Sequence, residues 1–131
     1  MLLTQKLWKR NHHLALLSLE TRFVQGIKNG DLPKTKFQEY LAQDYFFLES
    51  FARAYGLAVS KSRNKNTIKI LSGLLSGVSE ELILHENYSK EWGIDLTTNS
   101  IEPATKRYTD FLEEVSTNLS LIEIMSAMTP C

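Results

Sequence analysis

Apolar residues recur at three- and four-residue spacing along nearly the whole chain, and no segment alternates with the two-residue period of a half-buried strand. The spacing predicts a first helix from about Leu3 to Ile27, with Leu7, Leu14, Leu17, Phe23 and Val24 among its buried positions. Gly26 and the run Asn29-Gly30-Asp31 end it, since these residues tolerate the backbone angles of a turn. Leu32-Pro33 opens a second helix, because proline has no N–H to lose in a first turn. Its apolar stripe is Phe37, Tyr40, Leu41, Leu48, Phe51 and Tyr55. Ser62 to Asn66 reads as a connection. A third helix follows with Leu71, Leu74, Leu75, Val78, Leu82 and Trp92 inward, stopped by Gly93 and a polar loop of Thr97, Thr98, Asn99 and Ser100. Pro103 opens a fourth, with Tyr108, Phe111, Leu112 and Val115 on one face. Ser120 and Glu123 form a capping-box pattern ahead of a fifth, which holds Leu121, Ile124, Met125 and Met128. The expectation is an all-α chain.

Composition narrows the class. The 131 residues are 43% apolar, enough for one domain with a core. Fifteen cationic side chains balance fifteen anionic ones, which argues against the broad basic face of a nucleic-acid binder. Arg53, Lys61, Arg63, Lys65 and Lys69 alternate with polar residues and read as a solvated helix end. A single cysteine allows no internal disulfide and suits a reducing compartment. The first ten residues lack an uncharged apolar core and a cleavage site, and no stretch has the apolar length of a membrane span. A cytoplasmic protein without membrane association is the expectation.

Some residues break the pattern in ways that suggest chemistry. Asp44 falls on the apolar stripe of the second helix, where an ionised carboxylate without partners costs several kcal/mol. The spacing leaves two readings open. Asp44 binds a polar ligand in a pocket, or it is a structural carboxylate satisfied by a tyrosine hydroxyl or a helix end. His85 lies on the inward stripe of the third helix and reads better as a hydrogen-bonded core histidine than as a ligand to metal or haem. Glu81 and His85 share a face, but the Glu-x-x-His spacing of di-iron bundles is missing because position 82 is Leu. His12 and His13 are adjacent, so they point apart and cannot chelate one metal. No metal site and no cofactor follow. Tyr108 is an inward phenol that needs a partner. In the run Tyr45-Phe46-Phe47, Phe47 is adjacent to the Asp44 face and is the candidate for stacking on a flat ligand. Cys131, after Met128-Thr129-Pro130, carries little weight on local grounds.

Four segments in this order resemble the TenA/thiaminase II family: Phe23-Val-Gln-Gly-Ile-Lys-Asn-Gly-Asp-Leu-Pro33, Phe37-Gln-Glu-Tyr-Leu-Ala-Gln-Asp44-Tyr-Phe-Phe-Leu48, Pro103-Ala-Thr-Lys-Arg-Tyr108-Thr-Asp-Phe-Leu112 and Ala127-Met-Thr-Pro-Cys131. The stretch Leu84 to Leu96 is similar to the plant and cyanobacterial branch. Each segment is moderately specific alone, and their order and spacing carry the resemblance nearly end to end. It implies a haem-oxygenase-like helical bundle, of which residues 1–131 would be the N-terminal portion of a single domain, about five helices. It also implies a homo-oligomer, a tetramer in this family, and a small pyrimidine as substrate.

The activity implied is hydrolysis of 4-amino-5-aminomethyl-2-methylpyrimidine to the hydroxymethylpyrimidine in thiamin salvage, with cleavage of thiamin as a second reaction. By position, Asp44 would hold the amino edge of the pyrimidine, Tyr108 would stand beside it, and Cys131 would be the nucleophile. Phe47 stands where a tyrosine is common, which keeps stacking and loses a hydroxyl contact. The family's second carboxylate, a glutamate on a late helix, has no counterpart in this sequence. The alternative is a non-catalytic module that binds a pyrimidine or serves a structural role.

Overall fold

A computed structural model describes residues 1–96 and 99–130. Among them every regular element is an α-helix: α1 (Leu3–Leu19), α2 (Arg22–Asn29), α3 (Lys34–Lys61), α4 (Lys65–Trp92), α5 (Pro103–Asn118) and α6 (Leu121–Met128). The predicted all-α class holds. The expected positions Thr97 and Thr98 of the polar loop, and Cys131, lie outside the described residues.

The chain forms two compact units, Met1–Glu39 and Tyr40–Cys131. In the first, the single helix expected from Leu3 to Ile27 is two. The Thr21 hydroxyl donates to the Ser18 carbonyl at 2.9 Å and accepts from the Val24 N–H at 3.4 Å, so it caps a new helix after Leu19. The Gln25 amide donates to the Leu19 carbonyl at 2.6 Å and binds the free end of α1. An apolar period survives such a break because both helices keep the same residue spacing, so the period alone does not reveal it.

α2 ends as its glycines predict. Gly30 takes the left-handed conformation at φ 75°, and the N–H groups of Asp31 and Leu32 both donate to the Gly26 carbonyl, at 3.0 and 3.1 Å. The chain turns back so tightly that a Cβ on Gly26 would lie 3.1 Å from the Leu32 Cβ. α3 starts at Lys34, with Pro33 just ahead of it rather than inside its first turn.

Burial in this unit departs from the sequence expectation. Phe23 and Val24 are half-buried, but Leu7, Leu14 and Leu17 are 49, 54 and 59% exposed. Amphipathic spacing marks a face able to be buried; it does not supply the partner that buries it. Within Met1–Glu39 no element covers that face of α1.

The second unit has a continuous core. Leu48, Ala54, Tyr55 and Ala58 of α3 join Leu71 and Val78 of α4, Leu112 and Val115 of α5, and Ile124 and Met128 of α6. Small residues set the α3–α5 spacing: Ala54 and Ala58 are fully packed, and the Ser50 hydroxyl lies 3.4 Å from the Thr109 carbonyl. The inward positions expected on α4 and α5 hold at Leu71, Val78, Leu112 and Val115. Leu74 and Phe111, expected inside, are 43 and 47% exposed. Asn64 caps α4 by accepting from the N–H groups of Asn66 and Thr67, so the α3–α4 connection is shorter than expected, Ser62 to Asn64.

Lys61 is a further correction. The sequence groups it with a solvated basic helix end, yet its ammonium donates to the carbonyls of Ser116, Thr117 and Leu119 at 2.7, 3.0 and 2.7 Å. These carbonyls end α5, where the helix dipole is negative and partners are lacking. α6 starts as its capping pattern predicts. The Glu123 carboxylate accepts from the Ser120 N–H at 2.8 Å and from its hydroxyl at 2.7 Å.

Candidate functional site

Asp44 is on the face of α3 that meets α4, half-buried, with buried Leu41 and Leu48 one turn to either side. Its Oδ2 lies 2.8 Å from Nε2 of His85. The side chains of His85 and Asp44 are 9 and 18% exposed, so the aspartate keeps the greater access to solvent. The other ring nitrogen of His85, Nδ1, lies 2.9 Å from the Glu81 backbone carbonyl one turn earlier on α4. A carbonyl only accepts, so Nδ1 carries the proton of that bond. A carboxylate also only accepts, so the 2.8 Å contact requires a second proton, on Nε2 or on Oδ2. Either way the pair has no net charge, which removes most of the cost of burying Asp44 alone.

A third group completes the cluster. The Tyr40 hydroxyl, one turn before Asp44 on α3, is hydrogen-bonded to the same carboxylate. Its pKa is raised above the ordinary phenol value by burial first, then by the charges of Asp44 and Glu81 and by that bond. Tyr40 therefore stays protonated and acts as a donor at neutral pH. The sequence pattern placed Tyr40 on the apolar stripe; it is 42% exposed because its ring stays at the edge while its hydroxyl turns in to Asp44.

An aromatic row runs beside this cluster. Phe47, one turn after Asp44, stacks on Tyr108 of α5 with centroids 5.7 Å apart and planes at 22°. Phe51 lies 5.0 Å from Phe47, and Phe111 lies 6.3 Å from Tyr108. Phe47 and Tyr108, chosen from sequence as neighbours of one ligand, are thus in contact with each other. The rings touch, so no flat ligand fits between those two.

Gln43 ties the same stretch of α3 to the start of α5. Its amide donates to the Ser100 carbonyl at 3.0 Å and accepts from the Glu102 N–H at 2.8 Å. This holds the N-terminal end of α5, and with it Tyr108, in register with Asp44. Tyr45 points to a more acidic region, where burial and then Glu49 and Glu86 raise its phenol pKa.

The structure brings together Asp44, Phe47 and Tyr108. Cys131 was the expected nucleophile and lies outside the described residues. Two partners of Asp44 were not assigned from sequence. The i, i+4 relation of Tyr40 to Asp44 was a visible signal for one. The cross-helix partner His85 was read as a hydrogen-bonded core histidine, which it is, but its acceptor could not be named from one helix. Glu81 meets His85 through its backbone carbonyl, while the charge of its carboxylate acts on Tyr40. Among the described residues no group of three or more His, Cys, Asp or Glu side chains could hold a metal ion. No helix among them is long and apolar enough to cross a membrane.

Known proteins share this arrangement of helices and sequence. An uncharacterized protein of Haemophilus influenzae is 38% identical over 86% of this chain and 54% of its own length. An aminopyrimidine aminohydrolase of Halalkalibacterium halodurans is 38% identical over 83% of this chain and 50% of its own. Among solved structures, a TenA family transcription regulator from Silicibacter matches with a TM-score of 0.79 and 34% identity, covering 84% of this chain and 51% of that one. A TenA homologue from Pyrococcus furiosus matches with a TM-score of 0.89 over 97% of this chain and 61% of its own; at 24% identity it shows the fold alone. The chain spans about half the length of the curated relatives it matches first. The model of the TENA/THI-4/PQQC family matches residues 8–131, which takes in both compact units. The chain belongs to the TENA/THI-4/PQQC family.

Proposed function

We propose that this chain acts in the hydrolysis of aminopyrimidines in thiamin salvage, converting 4-amino-5-aminomethyl-2-methylpyrimidine to the hydroxymethylpyrimidine. The observation that carries the reading is a carboxylate held by His85 and Tyr40 at the end of a row of aromatic rings. A carboxyl group offers two oxygens in one plane, the right shape for the amino edge of a pyrimidine, and the rings offer an apolar surface for its face. The name of the Halalkalibacterium relative supports the substrate class.

In this reading Asp44 holds the amino edge, and Phe47 and Tyr108 flank the ring. The Cys131 thiolate adds to an electron-poor ring carbon. Electron density from the ring then expels the aminomethyl nitrogen, which takes a proton and leaves as ammonia. Water adds to the exocyclic carbon and loses a proton, and the thiolate departs. Residues 1–131 form part of a single helical domain, supported by the one family match that runs through both units. The working state is a cytoplasmic homotetramer, as the family resemblance implies.

The test is ammonia release from the aminomethylpyrimidine by this polypeptide, compared with its Cys131→Ser and Asp44→Asn variants. Both variants are expected to lose turnover, and Asp44→Asn to lose binding as well. Equal rates in the parent chain and Cys131→Ser would remove the cysteine from the mechanism. Tight binding of hydroxymethylpyrimidine with no turnover would favour the non-catalytic pyrimidine-binding module.

A further inference from the structure

We infer that His85 is a positioning residue for Asp44, fixing the plane of its carboxyl group and so setting the preference for ligands that carry a ring amino group. The inference rests on the reading of Asp44 as the pyrimidine-binding group.

The geometry is that of a clamp with one adjustable part. On α3 alone, the Asp44 carboxyl could rotate about its last side-chain bond, since that torsion is broad and weakly restrained. The contact from Nε2 to Oδ2 at 2.8 Å removes that freedom. His85 is itself held on its other side by the Glu81 carbonyl at 2.9 Å, on its own helix. The imidazole plane is therefore set by the α4 backbone, and the carboxyl orientation is set by the imidazole. A side chain oriented at one remove from backbone keeps its geometry when a ligand arrives.

The exposure points the same way. The imidazole is the more buried partner, so solvent and ligand reach the pair from the Asp44 side. A carboxylate has about four lone-pair positions; His85 and Tyr40 use two and leave acceptor capacity for an exocyclic N–H. A ligand without that N–H gains nothing from the fixed plane. Loss of His85 should therefore cost affinity selectively.

The experiment is calorimetric titration of the 131-residue chain with two ligands, hydroxymethylpyrimidine and its counterpart with hydrogen in place of the ring amino group. His85→Leu should weaken binding of the amino ligand by about tenfold, the worth of one charge-assisted hydrogen bond, and leave the other within about twofold. His85→Gln, whose amide nitrogen can take the place of Nε2 and donate to Asp44, should restore most of the difference. An unchanged ratio of the two affinities in His85→Leu would overturn the inference and leave the proposed function standing. A second measurement needs neither ligand nor His85→Leu. In the NMR spectrum of the parent chain, Asp44→Asn should move the His85 ring resonances clearly, and resonances that stay in place would overturn the pairing. No binding of either ligand to the parent chain, with the His85 resonances still moved by Asp44→Asn, would overturn the proposed function and the ligand preference built on it.

Discussion

The two compact units obey the same sequence pattern with opposite results. In the unit Tyr40–Cys131, residues spaced at three and four positions meet across helices, and Leu48, Leu112, Ile124 and Met128 lose nearly all contact with water. In the unit Met1–Glu39 the same spacing on α1 leaves Leu7, Leu14 and Leu17 about half exposed or more. Periodicity is a property of one helix, and burial is a property of two. The hydrophobic contribution to stability follows area removed from water, so the units should respond very differently to loss of a leucine.

That contrast can be broken by urea denaturation of single variants. Leu112→Ala, at a site 1% exposed, should cost about 2–5 kcal/mol through lost transfer energy and a cavity. Leu14→Ala should stay within about 0.5 kcal/mol, and a penalty like that of Leu112 would show that the face of α1 is covered in solution. Lys61→Met keeps the apolar stem and removes three charge-assisted bonds to the end of α5; it should cost about 2 kcal/mol.

The first unit has its own sensitive point. Gly26→Ala places a methyl 3.1–3.2 Å from Leu32 atoms, backbone Cα among them, so the neighbour cannot swing aside. Crowding of about 1–3 kcal/mol, less the gain of about 1 kcal/mol from alanine in a helix, leaves a net loss of about 1 kcal/mol. A stabilised variant would show that the turn at Leu32 yields.

The smallest effect concerns pH. The Ser120 hydroxyl and N–H bonds, with a weaker contribution from Lys61, hold the Glu123 carboxyl below its ordinary value of 4.5. A lowered folded value stabilises the folded state above the ordinary value, and the contribution fades as pH falls through the lowered one. Circular dichroism should show Glu123→Gln slightly less helical than the parent at neutral pH, with the difference gone in acid. A difference that persists in acid would exclude the carboxylate charge as its cause.

Much of the fold was legible because helix signals are local. Gly93 in the left-handed conformation at the end of α4, Pro103 at the start of α5 and the Ser120–Glu123 cap all fall where the sequence puts them. The break after Leu19 was not legible, because a lone threonine in an apolar stripe is tolerated within a continuous helix as readily as it caps a new one. The site divides in the same way. Asp44 announced itself by standing on an apolar stripe, and Tyr40 was within reach as its neighbour one turn away. His85 as its partner needed the packing of α3 against α4, and Lys61 as the cap of α5 needed a contact across more than fifty residues of sequence.

The ammonium of Lys61 has three hydrogens, and three carbonyls converge on it. A tetrahedral donor fits a converging set of acceptors, whereas the guanidinium of arginine is a flat fork that directs its hydrogens outward in one plane. Position 61 therefore selects for shape within one charge class, and an arginine there would keep the charge and lose the fit. Acylation of that nitrogen must first break these three bonds. Lys61 should acylate more slowly than the exposed lysines when the folded chain meets an amine-directed reagent, and the end of α5 should loosen once it has reacted.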